Sequence, residues 1–185
     1  MMKHAMHRRW LIVAFLAAWP TAAATLERLT TDELISRSTT IVRARVTSSH
    51  TAQHGPLVYT HFSIQVIECL KGQTPTPAEV VLPGGSFGAL RQTFAGVPKL
   101  DPDTEYLLFL WKSPNGLNHI IGLTQGVFSV TKQADGELAA WRPAASESML
   151  EARTGRLVSD RPVTIRLSEL RRRVAALGPR GGVTE

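Results

Sequence analysis

The sequence predicts a mainly β (α+β) fold: a small antiparallel β-barrel with a short helix near each end of the chain. Three observations carry that prediction. Short runs rich in β-branched and apolar residues recur between glycine, proline and asparagine turns. Helical periodicity is confined to the segments following Thr30 and Leu167. Strand–helix alternation, which a parallel doubly wound sheet would need, is missing, and no repeat period is visible.

Residues 1–24 have the three regions of a secretory signal. Lys3, Arg8 and Arg9 make a basic start, Trp10 to Trp19 is apolar, and small residues end at Ala24, where cleavage is expected. The apolar run is shorter than the ~20 residues a membrane-spanning helix needs, so no membrane span is expected after cleavage. The expected domain layout is a barrel over 25–166, a covering helix over 167–178 and a tail over 179–185.

In the mature chain, Thr30 and Glu33 have the spacing of a capping box, and Asp32 and Glu33 lie where the helix dipole favours acids. A short entry helix follows. From Thr39 to Ser48, Val42, Ala44 and Val46 alternate with Arg43, Arg45 and Thr47, the period of a strand with one wet face. The polar stretch Ser49 to Pro56 is expected to be a loop ending in the Gly55-Pro56 turn. Leu57 to Leu70 is a long strand in which Ile67 and Cys69 break the alternation, so a late bulge is expected in a hairpin with the first strand.

Ala78 to Leu82 is the third strand, ended by Pro83, which has no N–H for the ladder. Tyr106 to Trp111 is apolar on both faces and must therefore be central and covered. Short strands are expected at His119 to Leu123, Gly126 to Val130 and Glu137 to Trp141, the last two joined at Asp135-Gly136. Pro143 to Arg161 reads as weak helix or loop. Ser168 is the expected cap of the last helix, whose Leu167, Leu170, Val174 and Leu177 form a stripe suited to cover Tyr106 to Trp111.

Charge and cysteine content narrow the function classes. The formal charge is +6, and removing Lys3, Arg8 and Arg9 with the signal leaves +3. That modest excess gives no basis for nucleic-acid binding. The Arg171-Arg172-Arg173 run suits either the wet face of a helix or contact with an anionic envelope surface. Cys69 is the one cysteine, so no intramolecular disulfide holds this exported chain. About 160 mature residues suffice for a core without staples, and Cys69 is expected to be a small buried hydrophobe.

Several short motifs in order carry a resemblance over Leu29 to Val130. They are Glu68-Cys69-Leu70-Lys71-Gly72, Leu82-Pro83-Gly84-Gly85 with Gly88, Gly96-Val97-Pro98, Glu105-Tyr106-Leu107-Leu108-Phe109-Leu110, and Gly122 to Val130. Together the chain resembles a group of exported bacterial proteins of uncharacterised function. More distantly, its strand layout is similar to the oligonucleotide/oligosaccharide-binding (OB) barrel in its netrin-like form, found in inhibitors of metalloproteinases. The resemblance implies a fold and no activity. Inhibition does not carry over, because the mature N-terminus has no cysteine and there are no disulfides.

Three kinds of site are legible. Gly84-Gly85-Ser86-Phe87-Gly88 fits the G-x-S-x-G form of a nucleophile elbow, with His119 and Asp101 or Asp103 downstream as the partners a small serine hydrolase would need. Pro83, Gly84, Gly85 and Gly88 are explained more simply as a structural corner, because glycine permits positive φ and close approach. His50 and His54 are expected in a loop with His61 on the following strand, three imidazoles able to converge on a metal, without a nearby carboxylate or cysteine to complete the set. Tyr59, Phe87, Phe94 and Trp141 lie near turns where a barrel mouth would present them to a ligand. The sequence therefore favours a non-enzymatic binding or envelope-associated module without a cofactor, its partner a protein, peptide or glycan of the cell envelope, in the periplasm or outside the cell.

Overall fold

The computed structural model describes residues 25–177, so the expected signal segment and tail lie outside the described residues. Strand β1 (Thr25–Glu27) leads into helix α1 (Thr31–Arg37), whose capping box is complete: Glu33 N–H donates to Thr30 Oγ1 at 3.2 Å and Thr30 N–H donates to Glu33 Oε2 at 2.8 Å. Strands β2 (Thr40–His54) and β3 (Leu57–Lys71) form a long hairpin through Gly55-Pro56. Ser49 to His54 is thus strand and not loop. Its backbone groups pair with Leu57 to Phe62, and a hairpin arm wet on one or both faces can be polar without ceasing to be a strand.

Irregular pairing explains the broken alternation. Val66 lies opposite Ala44 and Glu68 opposite Arg43, so Ile67 is the extra residue of a bulge. Val66 therefore faces the same interior as Ile64, whereas Glu68 turns outward to Arg43 and Arg171. Cys69 follows this shift and is exposed, a correction to its expected burial.

Strand β4 (Glu79–Pro83) pairs antiparallel with β3 and is followed by a small hairpin of β5 (Gly85–Phe87) and β6 (Leu90–Gln92). Strand β7 (Glu105–Lys112) pairs with β2 on one side. On its other side it pairs with β8 (Asn118–Ile120) through Leu110 to Lys112, and with β9 (Val127–Lys132) through Tyr106 to Leu108. A 3₁₀ turn, Leu123–Gly126, separates β8 from β9 where the sequence suggested that the strand ran on to Leu123. Parallel pairing of Val81 with His119 joins β4 to β8. The hydrogen-bonded neighbours β2, β3, β4, β8 and β7 consequently form a closed circuit of five strands.

Strand β10 (Leu138–Arg142) extends the sheet from β9. Pro143 to Arg161, expected as weak helix or loop, contains β11 (Ser148–Leu150), parallel to β1, and β12 (Leu157–Val158). Strand β13 (Val163–Arg166) pairs with β10 and runs into helix α2 (Leu167–Leu177). Ser168 lies within α2 and donates its hydroxyl to Glu137 Oε1 instead of capping the helix.

Two cores share β7. Tyr106, Leu108 and Leu110 face the interior of the circuit with Val42, Ala44, Ile64, Val80 and Leu82. Leu107 and Phe109 face the other way, against Leu34 and Ile35 of α1 and Leu167, Leu170 and Val174 of α2. Both helices thereby cover the outer face of the two-sided strand, and Leu177 stays exposed. The arginine run on α2 is partly engaged within the fold: Arg171 grips Glu68 at 2.8 and 2.9 Å, and Arg173 reaches Glu169 and Asp32. No helix among the described residues is long and apolar enough to cross a membrane.

Candidate functional site

The glycine corner builds one side of a cleft. Gly84 and Gly85 have φ of +103° and +132°, which side chains rarely adopt. A Cβ on Gly85 would lie 2.8 Å from Thr51 Cγ2 and 2.9 Å from Thr60 Oγ1. Turned this way, the chain lays the β5–β6 hairpin against the β2–β3 arm. Thr51 Oγ1 donates to Ser86 O at 2.6 Å, Thr60 Oγ1 donates to Gly84 O at 2.8 Å, and Gln92 bridges Val58 N–H and Pro56 O at 2.7 and 2.9 Å.

Beside this hairpin opens a cleft of about 390 Å³. Phe62, Leu82 and Leu100 form an apolar floor continuous with the circuit's interior, and Ser86, Arg91 and Phe94 line the side toward the hairpin. Phe94 is 39% exposed there, and Arg91 makes no salt bridge among the described residues. An apolar floor with a few polar groups, the Arg91 guanidinium and the Asp101-paired Lys99 at its edge suits an extended ligand that carries a carboxylate.

The opposite face of β3 carries a second constellation. Cross-strand register sets Trp111, His119, Val81, His61 and His50 in one row across β7, β8, β4, β3 and β2. His61 is buried to 6% exposure. Its Nδ1 lies 3.1 Å from Glu79 Oε2 and its Nε2 3.2 Å from His54 Nε2. His50 Nδ1 is 3.9 Å from Glu79 Oε1, and the His50 ring stacks on His61 with centroids 4.9 Å apart. Ala52, opposite Tyr59, lies between the two histidines of β2. His119 stacks on Trp111 at 4.8 Å, and burial holds its imidazole below its ordinary pKa.

Protein-family models and curated proteins give no match to this chain.

The residues singled out in the sequence are distributed unevenly over these two places. Ser86, Phe94, Pro83, Gly84 and Gly85 line the cleft, whereas Gly88 makes the turn between β5 and β6. Among the described residues, no histidine or acid lines the cleft. Ser86 sits in a hairpin strand, and residues 89–94 form a turn, β6 and loop, where an elbow would need a helix. His119 has Ser113 Oγ at 3.2 Å as its polar neighbour. Asp101 pairs with Lys99 at 2.8 Å and Asp103 is an exposed turn residue with φ of +58°. The four aromatic candidates also separate: Phe94 is in the cleft, Phe87 is at the hairpin tip, Tyr59 packs edge-on between His54 and His119, and Trp141 is exposed on β10.

His50, His54 and His61 do converge, from two strands of one hairpin and not from a loop and a strand. A carboxylate is present beside them after all. Glu79 completes the group, and a signal for it exists in the alternation of Glu79 and Val81 against the core residues Val80 and Leu82. Seeing it requires the antiparallel β3–β4 pairing, which sets Glu79 on the same face as His61.

Proposed function

We propose that the chain is an exported, non-enzymatic binding module of the cell envelope, built on an OB-type barrel in its netrin-like form. The closed five-stranded circuit with its parallel β4–β8 join supports the barrel. The observation that carries the binding role is the cleft at the β4–β5 corner: an apolar floor from the interior of the strand circuit, flanked by Phe94 and the Arg91 guanidinium, which has no acidic partner among the described residues. Its occupant is an extended peptide or glycan segment of the envelope bearing a carboxylate. No nucleic acid and no cofactor enters this reading.

The test is a titration of the mature protein with soluble cell-wall glycopeptide fragments and with acidic peptides, followed by backbone amide shifts. Perturbations centred on Gly84, Arg91 and Phe94, and lost in Phe94→Ala with Arg91→Ala, are expected. Absence of perturbation by either ligand class, or perturbation centred away from the cleft, overturns the proposal. Ser86 provides a second check. A fluorophosphonate probe that labelled the protein and failed to label Ser86→Ala would replace the binding role with hydrolysis.

A further inference from the structure

We infer that His50, His61 and Glu79 form a binding site for a divalent transition metal of the zinc type, with His54 as its positioning residue. The inference stands apart from the cleft, because Thr60 and Phe62 line the cleft while His61, between them, faces the other side of β3.

Geometry is the first support. One ligand atom from each of His50, His61 and Glu79 lies within 4.8 Å of the others, and the His61–Glu79 and His50–Glu79 separations are 3.1 and 3.9 Å. Two ligands on a tetrahedral zinc with bonds of ~2.0–2.1 Å are ~3.4 Å apart. The His61–Glu79 and His50–Glu79 distances, which run to different oxygens of Glu79, differ from this by about half an ångström or less, and rotation of the exposed His50 ring has to close the widest gap, up to about 1.4 Å. The three residues come from three adjacent strands whose register is fixed by backbone pairing, so the site needs no folding of a loop to assemble.

Donor chemistry is the second support. Two imidazoles and one carboxylate are a donor set used by zinc sites that keep an open position for water or substrate. Thiolate is absent from the set, so softer copper(I) chemistry is disfavoured. Glu79 also neutralises part of the charge the cation brings to a partly buried position.

The third support is the use of both nitrogens of a buried ring. Without a metal, a consistent proton arrangement has His61 Nδ1–H donating to Glu79 and His54 Nε2–H donating to His61 Nε2. A cation at Nδ1 requires His61 to carry its one proton on Nε2, and His54 to carry its own on Nδ1, so both rings change tautomer by exchange with solvent and no net proton is released. His61 Nε2–H is then donated to His54 Nε2, which presents its lone pair. Metal-bound imidazoles commonly direct their second nitrogen at such a partner, which sets the tautomer and ring orientation. His54 therefore acts through His61 and not on the metal.

The experiment uses tag-free mature protein, zinc chloride and isothermal titration calorimetry, with elemental analysis after equilibrium dialysis. One equivalent of zinc is expected. His50→Ala and Glu79→Gln, both at positions open enough to keep the fold, should each weaken binding by tenfold or more. His54→Ala should weaken it up to tenfold, and His54→Gln, which retains an acceptor, should recover most of that loss. His119→Ala, in the same row but outside the ligand set, should bind as the parent does. Failure to bind a stoichiometric equivalent, parent-like binding by both His50→Ala and Glu79→Gln, or an equal loss in His119→Ala would overturn the site. A loss confined to His54→Ala would overturn the assignment of ligands.

Discussion

Gly85 and Ser86 are neighbours with opposite weights. Gly85 occupies a φ that a β-branched residue resists, and a Cβ there would collide with Thr51 and Thr60, whose hydroxyls hold the hairpin. Ser86 is exposed, and its backbone oxygen, not its hydroxyl, takes the bond from Thr51. Gly85→Val is expected to cost about 1–3 kcal/mol, and Ser86→Ala less than about 0.5 kcal/mol. Urea midpoints of the two variants check the order, and equal midpoints would remove the structural role of the corner. The same pair shows what a sequence exposes at single positions. Glycines announce a backbone need by identity alone, as Thr30 and Glu33 announce a cap by spacing. Glu79 announces nothing, because its meaning depends on strand register.

Between β10 and β13 the chain is held by a buried ion pair. Arg142 and Asp160 are both almost fully enclosed, at 3% and 4% side-chain exposure, and Asp160 also accepts from the Ala145 N–H at 2.8 Å. The guanidinium lies 5.7 Å from the centre of the Phe128 ring. This pair ties the segment carrying β11 and β12 to the edge of the main sheet. Asp160→Ala strands a buried guanidinium, so a loss of about 3–5 kcal/mol is expected, measured as the shift in unfolding free energy. Retention of the parent's stability would mean that β11 and β12 are held by their apolar contacts, chiefly Met149, alone. Periodicity could not reveal these strands. Each is two or three residues long, and the signal that places Asp160 opposite Arg142 lies in the fold and not in the local sequence. The long elements were easier: β7 declares two buried faces by being apolar throughout, and α2 declares one by its leucine stripe. The polar half of β2 was hidden because its cover, the β5–β6 hairpin, arrives through side-chain hydrogen bonds and not through an apolar face.

For the molecule as a whole, titratable groups give stability a defined dependence on pH. Burial pushes Asp160 upward, but hydrogen bonds from Arg142, Ala145 and Arg161 outweigh it and hold the carboxyl below its ordinary range; the Arg171 hydrogen bond does the same for Glu68. Their contribution is complete above the unfolded carboxyl values, near about 4, and is lost as pH falls through the lower folded values. His119 has the opposite charge change and the same direction of loss. Its folded pKa is depressed by burial, so below about 6.5 the unfolded chain binds the proton first and stability declines. Unfolding free energy should therefore fall gently below about pH 6.5, less so in His119→Gln, and steeply below about pH 4. A profile flat down to pH 4 would contradict the lowered pKa of the partly buried His119 imidazole. Strand class and the central place of β7 were readable from alternation and composition; closure of the circuit was not, since it hangs on the single parallel bridge between Val81 and His119. Residues 25–29 are fastened by distant partners. Strand β1 pairs with β11, and the buried side chain of Gln125 accepts from the Leu29 N–H and donates to Glu27 O. These residues thus wait for partners made about a hundred positions later. As the chain emerges, the segment stays without them until Gln125 and β11 have been made, so its docking is not an early step of folding.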